Sequence, residues 1–391
     1  MKRVVGQPLS SGRPRKQQRR SRFTRFFTNA LIISTLALVL LLVGGIVWVV
    51  LELRSNANQG RILAEFSSLI SYRVEPGPNP NSLPPDRGPH DVRLGYALLP
   101  SIQERMQDAG FDIAQQGRLS RRHEELVTRG VYYIYREKAQ AGLELLDQNG
   151  QPLHRSRYPR QIYEHFDEVP DLVLRTVSFI EDRELLDFSH PYRNPVIDWE
   201  RLARAVVLQA LKSAGLSDRS IGASTVATQL EKLQHTPGGI THNAADKARQ
   251  MVSAVLRAYQ DGPDTLQARR RLALAYLNSL PLAARAGFGE VNGLADGITV
   301  WYGGDFARMN AVLADDDAPL ELRALYFKQV LSLVLAIRRP ALYLANDRTR
   351  LDALTNSYLR VMAAEQYIPA DLAQAALATT LQRNSTGIPG R

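Results

Sequence analysis

VSFIEDRELLDF, residues 177–188, and IGASTVATQLEK, residues 221–232, are the stretches on which the reading of this chain turns. Leu172, Val173, Thr176, Val177 and Ile180 recur at helical spacing behind Pro170, which suits a first helical position, so a helix is predicted to end at Glu181. Trp199, Leu202, Ala203, Val206, Val207, Ala210 and Leu211 predict a second helix with one apolar face, and the turn carrying Gly222, Ser224 and Thr225 opens a third. Two such helix ends brought together would face a carboxylate toward a cluster of hydroxyl and amide groups. Taken singly, Glu181, Asp182 and Arg183 equally fit a solvated helix end, and Ser224 and Thr225 fit an N-cap. Order and context must decide.

The 391 residues suffice for a large core and more than one domain. Cysteine is absent, which excludes disulfides and thiolate metal sites and leaves an oxidising compartment tolerable. The formal charge of +10 is concentrated at the N-terminus, where Lys2, Arg3, Arg13, Arg15, Lys16, Arg19, Arg20, Arg22 and Arg25 lie with no acid among them. The remainder is near neutral, so nucleic acid is not an expected partner. Phe26 to Leu51 contains no charged residue, and a helix of that length at about 1.5 Å per residue exceeds the roughly 30 Å hydrocarbon core. A membrane span is therefore predicted over residues 26–51. A cleaved signal peptide would have an apolar core of about 7 to 15 residues followed by a small-residue cleavage site. The basic tail, residues 1–25, keeps the N-terminus in the cytoplasm and sends the rest of the chain outside.

Beyond the span, residues 54–72 read as a short amphipathic helix, and EPGPNPNSLPPDRGPHD as a linker or wrapping loop without regular structure. A helix near Ile102 to Asp108 and a strand at Val131 to Tyr135 follow. LELLDQNGQPL predicts a β-hairpin with a type I′ turn at Asn149-Gly150. From Pro170 onward the pattern is helical, with further helices at Ala244 to Tyr259, Leu266 to Leu280, Leu320 to Ala336, Arg348 to Glu365 and Pro369 to Leu377. Residues 287–304 hold six glycines and are expected to form a long functional loop.

The order LLDQNGQPL, DEVPDLVLRTVSFIEDREL, GASTVATQLEKL, KARQMVSAV, LALAYLN, a Gly-rich loop ending WYGG, then LSLVLAIRRPALY and LDALTNSYLRVM resembles the peptidoglycan glycosyltransferase family, the transglycosylase domain of bifunctional penicillin-binding proteins. The resemblance covers roughly Leu143 to Leu377. It implies a mainly α, lysozyme-like domain at residues 143–380 with a short β-hairpin at its start, after the transmembrane helix and a small α+β membrane-proximal region at 52–142, and before a flexible C-terminus at 381–391. It further implies polymerisation of a lipid-linked disaccharide pentapeptide at the outer face of the bacterial inner membrane, with undecaprenyl pyrophosphate as the leaving group and cell-wall synthesis or division proteins as partners.

By the same resemblance Glu181 is the general base, and Lys232 and Arg249 hold phosphate oxygens where negative charge develops. Ser224, Thr225 and Gln229 match polar residues of the second motif, Asp182 and Arg183 belong to the first, and Tyr276 and Asn278 to a fourth with a scaffold role. A helix start at Ser224-Thr225 would add backbone donors for an anion. The sequence itself requires no cofactor, and the family likeness leaves a divalent cation, Mg or Mn, open.

The chain departs from the pattern at several positions. Leu185 and Phe188 stand where an aromatic residue and a histidine are usual, with His190 displaced by two. Thr228 replaces a glutamine, Arg269 and Leu274 replace a lysine and a glutamate, and Ser253 stands where a second glutamate is expected. A serine cannot hold a cation as a carboxylate does, and Glu290 or Asp296 of the Gly-rich loop could supply the missing acid. Two alternatives stay open beside the polymerase: a catalytically degenerate domain that binds the lipid-linked precursor or a cell-wall partner, and a lytic transglycosylase using one glutamate. A penicillin-binding transpeptidase is excluded for this chain, which has no Ser-x-x-Lys and no Lys-Thr-Gly. His235 and His242 lack the spacing of a zinc site.

Overall fold

The structure, a computed structural model, describes residues 16–82, 85, 88–213, 215 and 224–384. Of the sequence features above, the start of the basic tail, part of the Pro-rich linker, Gly222 and most of the 381–391 segment lie outside them. The chain divides into two compact units, one ending at Ser55 and the other beginning at Asn56. The first is helix α1, Lys16–Ser55. Its Leu31–Ser55 segment, within which an 18-residue window reaches a mean hydropathy of 2.7, is long and apolar enough to cross a membrane.

The second unit opens with α2 (Ala57–Ser68), β1 (Tyr72–Pro76), α3 (Pro89–Arg93), α4 (Leu99–Asp108), β2 (Gln115–Leu119) and α5 (Arg121–Thr128). The linker reading is corrected at both ends: Glu75 and Pro76 belong to β1, paired antiparallel with β2, and Pro89 starts α3 at the helix position where a missing N–H costs nothing. The hairpin is β3 (Ala141–Leu146) with β4 (Pro152–Tyr158). Its turn is not type I′. Gly150 alone of the expected pair has positive φ, and Asp147 closes the loop by accepting bonds from the Asn149 and Gln151 amides at 2.8 Å.

Helices α6 (Asp171–Ile180), α7 (Trp199–Ser213), α8 (Val226–His235), α9 (Ala244–Ala258) and α10 (Leu266–Ser279) follow. The glycine-rich stretch is ordered and largely internal, which corrects the loop reading. Strand β5 (Pro281–Arg285) pairs with β6 (Gly289–Asn292), and α11 (Leu294–Gly297) with the wide turn after it carries Ile298, Val300 and Trp301 into the core. Glycine is required at 293, where φ is +83° and a Cβ would lie 2.8 Å from the Asn278 carbonyl oxygen. The chain closes with α12 (Phe306–Ala314), α13 (Leu320–Ala336), α14 (Arg348–Ala364) and α15 (Ala370–Ala378). Helix α13 is buried on nearly every side among α6, α14 and α15, as expected of a helix apolar all round. Its buried cation, Lys328, is neutralised by Asp352 at 3.0 Å and bonded to the Thr379 carbonyl at 2.6 Å.

Val131 to Tyr135, predicted as a strand, form with Gly130 an extended strap laid across α9. Gly130 N and Val131 N donate to the Val127 and Leu126 carbonyls of α5, and side chains instead of a ladder take the groups that follow. Tyr132 N donates to Ser253 Oγ and Ile134 N to His123 Nε2, while Arg257 donates to the Tyr133 and Tyr135 carbonyls. Beside the strap, Arg257 also binds Glu231 (2.9 Å) and Glu137 (3.2 Å), and His235 joins Glu137 (3.0 Å) to Asp91 of α3 (3.3 Å). His90 lies 3.6 Å from the same Glu137.

Burial works against a charged His235, but its bonds to Asp91 and Glu137, with Glu231 close by, outweigh that and hold its pKa at about 9. A folded pKa above the free value of 6.5 contributes stability that is complete below that pH and is lost as pH rises through 9. Thermal unfolding should therefore show wild-type stability falling between those two values. His235→Gln should be less stable than wild type at pH 6.5 and flatter across the window.

Candidate functional site

Glu181 is the C-cap of α6, half-buried, and Gln229 of α8 donates a 2.6 Å hydrogen bond from Nε2 to its Oε2. Beneath them the fully buried Tyr276 hydroxyl of α10 approaches the same carboxylate. Burial first and the Glu181 charge second push the Tyr276 phenol well above its ordinary value, and the Arg338 guanidinium at the end of α13 acts in the opposite sense. Tyr276 thus stays a neutral floor to the carboxylate.

Lys232 follows Gln229 by three positions, the spacing that puts two side chains on one helix face. The next cation is Lys247 of α9, which sequence reasoning passed over. Its ammonium donates to Ser224 Oγ at 3.0 Å, and burial followed by repulsion from Lys232 lowers its pKa. Among the described residues neither Lys232 nor Lys247 forms an ion pair. Two ammonium groups that repel each other beside a hydroxyl make a place for an anion.

Arg249 does not join them. Two residues along a helix turn the side chain by about 200°, so Lys247 and Arg249 flank opposite sides of the buried stripe of Asp246, Gln250 and Ser253. Arg249 pairs with Asp246 at 3.1 Å and runs past Gly130 of the strap, where a Cβ would meet its Nε at 2.8 Å. Arg183 likewise leaves the group, binding Glu365 at 2.7 Å with its guanidinium 4.5 Å from the Phe179 ring centre.

Thr225 is turned inward. It caps α8 in a reciprocal box with Thr228 and donates to the Val196 carbonyl. Asp182 accepts from the Glu184 amide and lines a small cavity with Arg193, Asp198 and Arg269. Burial pushes its pKa up to about 6. Asn278 closes a two-way amide pairing with the Tyr163 backbone at 2.8 and 2.9 Å.

The positions that break the pattern have structural occupations. Arg269 is fully buried and donates to the carbonyls of Leu185, Asp187 and His190, so it holds the loop that follows Glu181. Ser253 lies fully buried under the strap. Neither proposed replacement acid reaches that place: Glu290 binds Arg93 at 2.8 Å and Asp296 accepts from the Arg160 and Gln161 amides. Among the described residues no group of three His, Asp or Glu could hold a metal ion, so the residues present do not fit a divalent cation at the Ser253 position. The apolar residues Val207 and Leu211 of α7 are exposed, not part of a plain core face.

A family model described as Transglycosylase matches residues 149–364, more than half of the chain, and spans both Glu181 and the Lys232–Lys247 pair. No curated protein matches the chain.

Two outcomes follow from this geometry. The raised pKa of Asp182 means its ionisation costs stability as pH rises from 3.8 through 6. Asp182→Asn keeps an acceptor for the Glu184 amide, so it should be at least as stable as wild type at pH 7 and show less decline over that range in thermal unfolding. Ser253→Glu should not restore a carboxylate to the groove. It must displace the strap, and at about 1–3 kcal/mol for overpacking should lower the melting temperature and open residues 130–135 to protease.

Proposed function

We propose that this chain, which belongs to the transglycosylase family, is a membrane-anchored peptidoglycan glycosyltransferase that polymerises lipid-linked disaccharide pentapeptide into glycan strands. The observation that carries the reading is the run along one face of α8. Gln229 fixes the Glu181 carboxylate, and one turn on, Lys232 is near enough to Lys247 to depress its pKa, while Lys247 donates to Ser224. One carboxylate for a proton and a pair of cations for an anion are what glycosyl transfer from a pyrophosphate needs.

In this mechanism the 4-hydroxyl of one sugar attacks the anomeric carbon of another. The new C–O bond forms as the bond to the pyrophosphate oxygen breaks, the hydroxyl proton passes to Glu181, and the electron pair leaves on the lipid pyrophosphate with inversion. Lys232 and Lys247 stabilise the charge that develops there, and Ser224 orients the second ammonium. Arg249 and Arg183, already paired elsewhere, serve the fold in this reading. Lytic cleavage of a finished strand has no phosphate to bind and gives the two lysines no role. The N-terminus lies in the cytoplasm, the main unit outside the inner membrane, and other cell-wall synthesis proteins are its natural partners.

The test is polymerisation of purified lipid-linked disaccharide by the detergent-solubilised protein. Glu181→Gln should reduce glycan formation about a hundred- to ten-thousand-fold while leaving lipid binding in place. Lys247→Ala should weaken that binding about tenfold or more with the melting temperature little changed, since one charge-assisted contact is lost and no core is emptied. Saturable lipid binding without any product from wild type would sink the polymerase and leave a binding module. Anhydro-muropeptides released from sacculi would make the enzyme lytic.

A further inference from the structure

The strap has two faces. On one, Tyr132 meets Ser253 and Thr236. On the other, Tyr133 sets its ring 6.4 Å from His123 and, with β1 and β2, borders a cavity of about 190 Å³. Tyr72, Tyr133 and Tyr135 supply aromatic surface to its lining, and Asn79, Asn81 and Ser82 supply amide and hydroxyl groups.

Among its described lining residues there is no carboxylate, ammonium or guanidinium. The one titratable nitrogen group, His123, is held neutral by burial, and its Nε2 already accepts from the Ile134 amide. A phosphate or carboxylate would enter without a counter-charge, which is strongly unfavourable. Asn79 is bonded within the loop, donating to the Gly117 carbonyl and accepting from the Asn81 amide, and Ser82 Oγ accepts from Gln116, so a purely apolar ligand would strand chiefly the Asn81 side-chain amide. The complementary ligand has an apolar face for a tyrosine ring and hydroxyl or acetamido groups at its rim. A pyranose ring presents both.

We propose that this cavity is a saccharide site for one uncharged N-acetylated hexopyranose ring of a glycan chain, separate from the Glu181 groove. Tyr72, at 47% exposure, stands at its mouth as the stacking surface, and Asn81, exposed beside it, reads the rim. The volume falls below the roughly 300–1,000 Å³ of sites for drug-sized ligands, which sizes the cavity for one ring with its neighbours outside. The opposite face of the strap bonds α9 and the end of α8, so a glycan held here lies across the strap from the helix that carries Gln229 and Lys232. The proposal rests on the polymerase reading only for where the glycan comes from.

Isothermal titration of the full-length protein in detergent with chitotriose tests it. Wild type and Glu181→Gln should bind saturably with equal affinity, and Tyr72→Ala and Asn81→Ala should each raise the Kd at least tenfold with unchanged melting temperature. The proposal falls if wild type shows no saturable binding, if both variants bind as wild type does, or if Glu181→Gln abolishes binding. Chitotriose binding that depends on Tyr72, together with failure to polymerise lipid-linked disaccharide, would overturn the polymerase and leave the saccharide site standing.

Discussion

The buried charges at the C-terminal end of α8 are tolerable only as a set, and much of the architecture follows from that. Glu231, His235, Arg257, Glu137 and Asp91 come from four separate segments, and removing any one would leave a neighbour ionised in a medium that cannot solvate it. Their mutual pairing therefore fixes α3, the segment after the strap, α8 and α9 against one another. The same helix that ends in this cluster begins at the Thr225 cap and bears Gln229 and Lys232 between. A region that looks peripheral in the chain, residues 56–139, thus sets the position of the helix on which the chemistry depends.

Under the polymerase proposal, the arrangement accounts for a phosphate-handling groove that carries one acid. Where a second carboxylate would stand, Ser253 serves as a hydrogen-bond acceptor for the strap, and Arg269 has become a clamp for the loop after Glu181. Positive charge is concentrated instead at Lys232 and Lys247, near enough for Lys232 to lower the Lys247 pKa. At these two departures from the family pattern the side chains bond to the scaffold. The Glu181–Gln229 bond is untouched by them.

Much of this was legible in the residues. The apolar period of α6, α9, α10, α13 and α14 placed those helices within a residue or two, and the cap at Thr225 and the end of α6 at Glu181 followed from side-chain chemistry at helix termini. Lys247 was not legible. It lies two residues from Arg249, and the stripe that decides which of the two faces the groove is polar, made of Asp246, Gln250 and Ser253, so no hydrophobic period marks it. The strap failed as a strand for a related reason. Its hydrogen bonds go to Ser253, His123 and Arg257, partners up to 124 residues away.

Sequence by itself determined what each segment can be: an apolar helix at the N-terminus, a helical domain behind a hairpin, and an acid at one helix end with a capped turn at another. Helical period and cap chemistry act over a few residues, and a linear reading captures them. Tertiary structure alone decided which lysine faces the groove, which arginines are already paired, and that residues 130–135 cover the place of the missing acid. Those choices rest on charge pairing and side-chain hydrogen bonds between segments far apart in the chain, whose energies exist only once the segments are in contact.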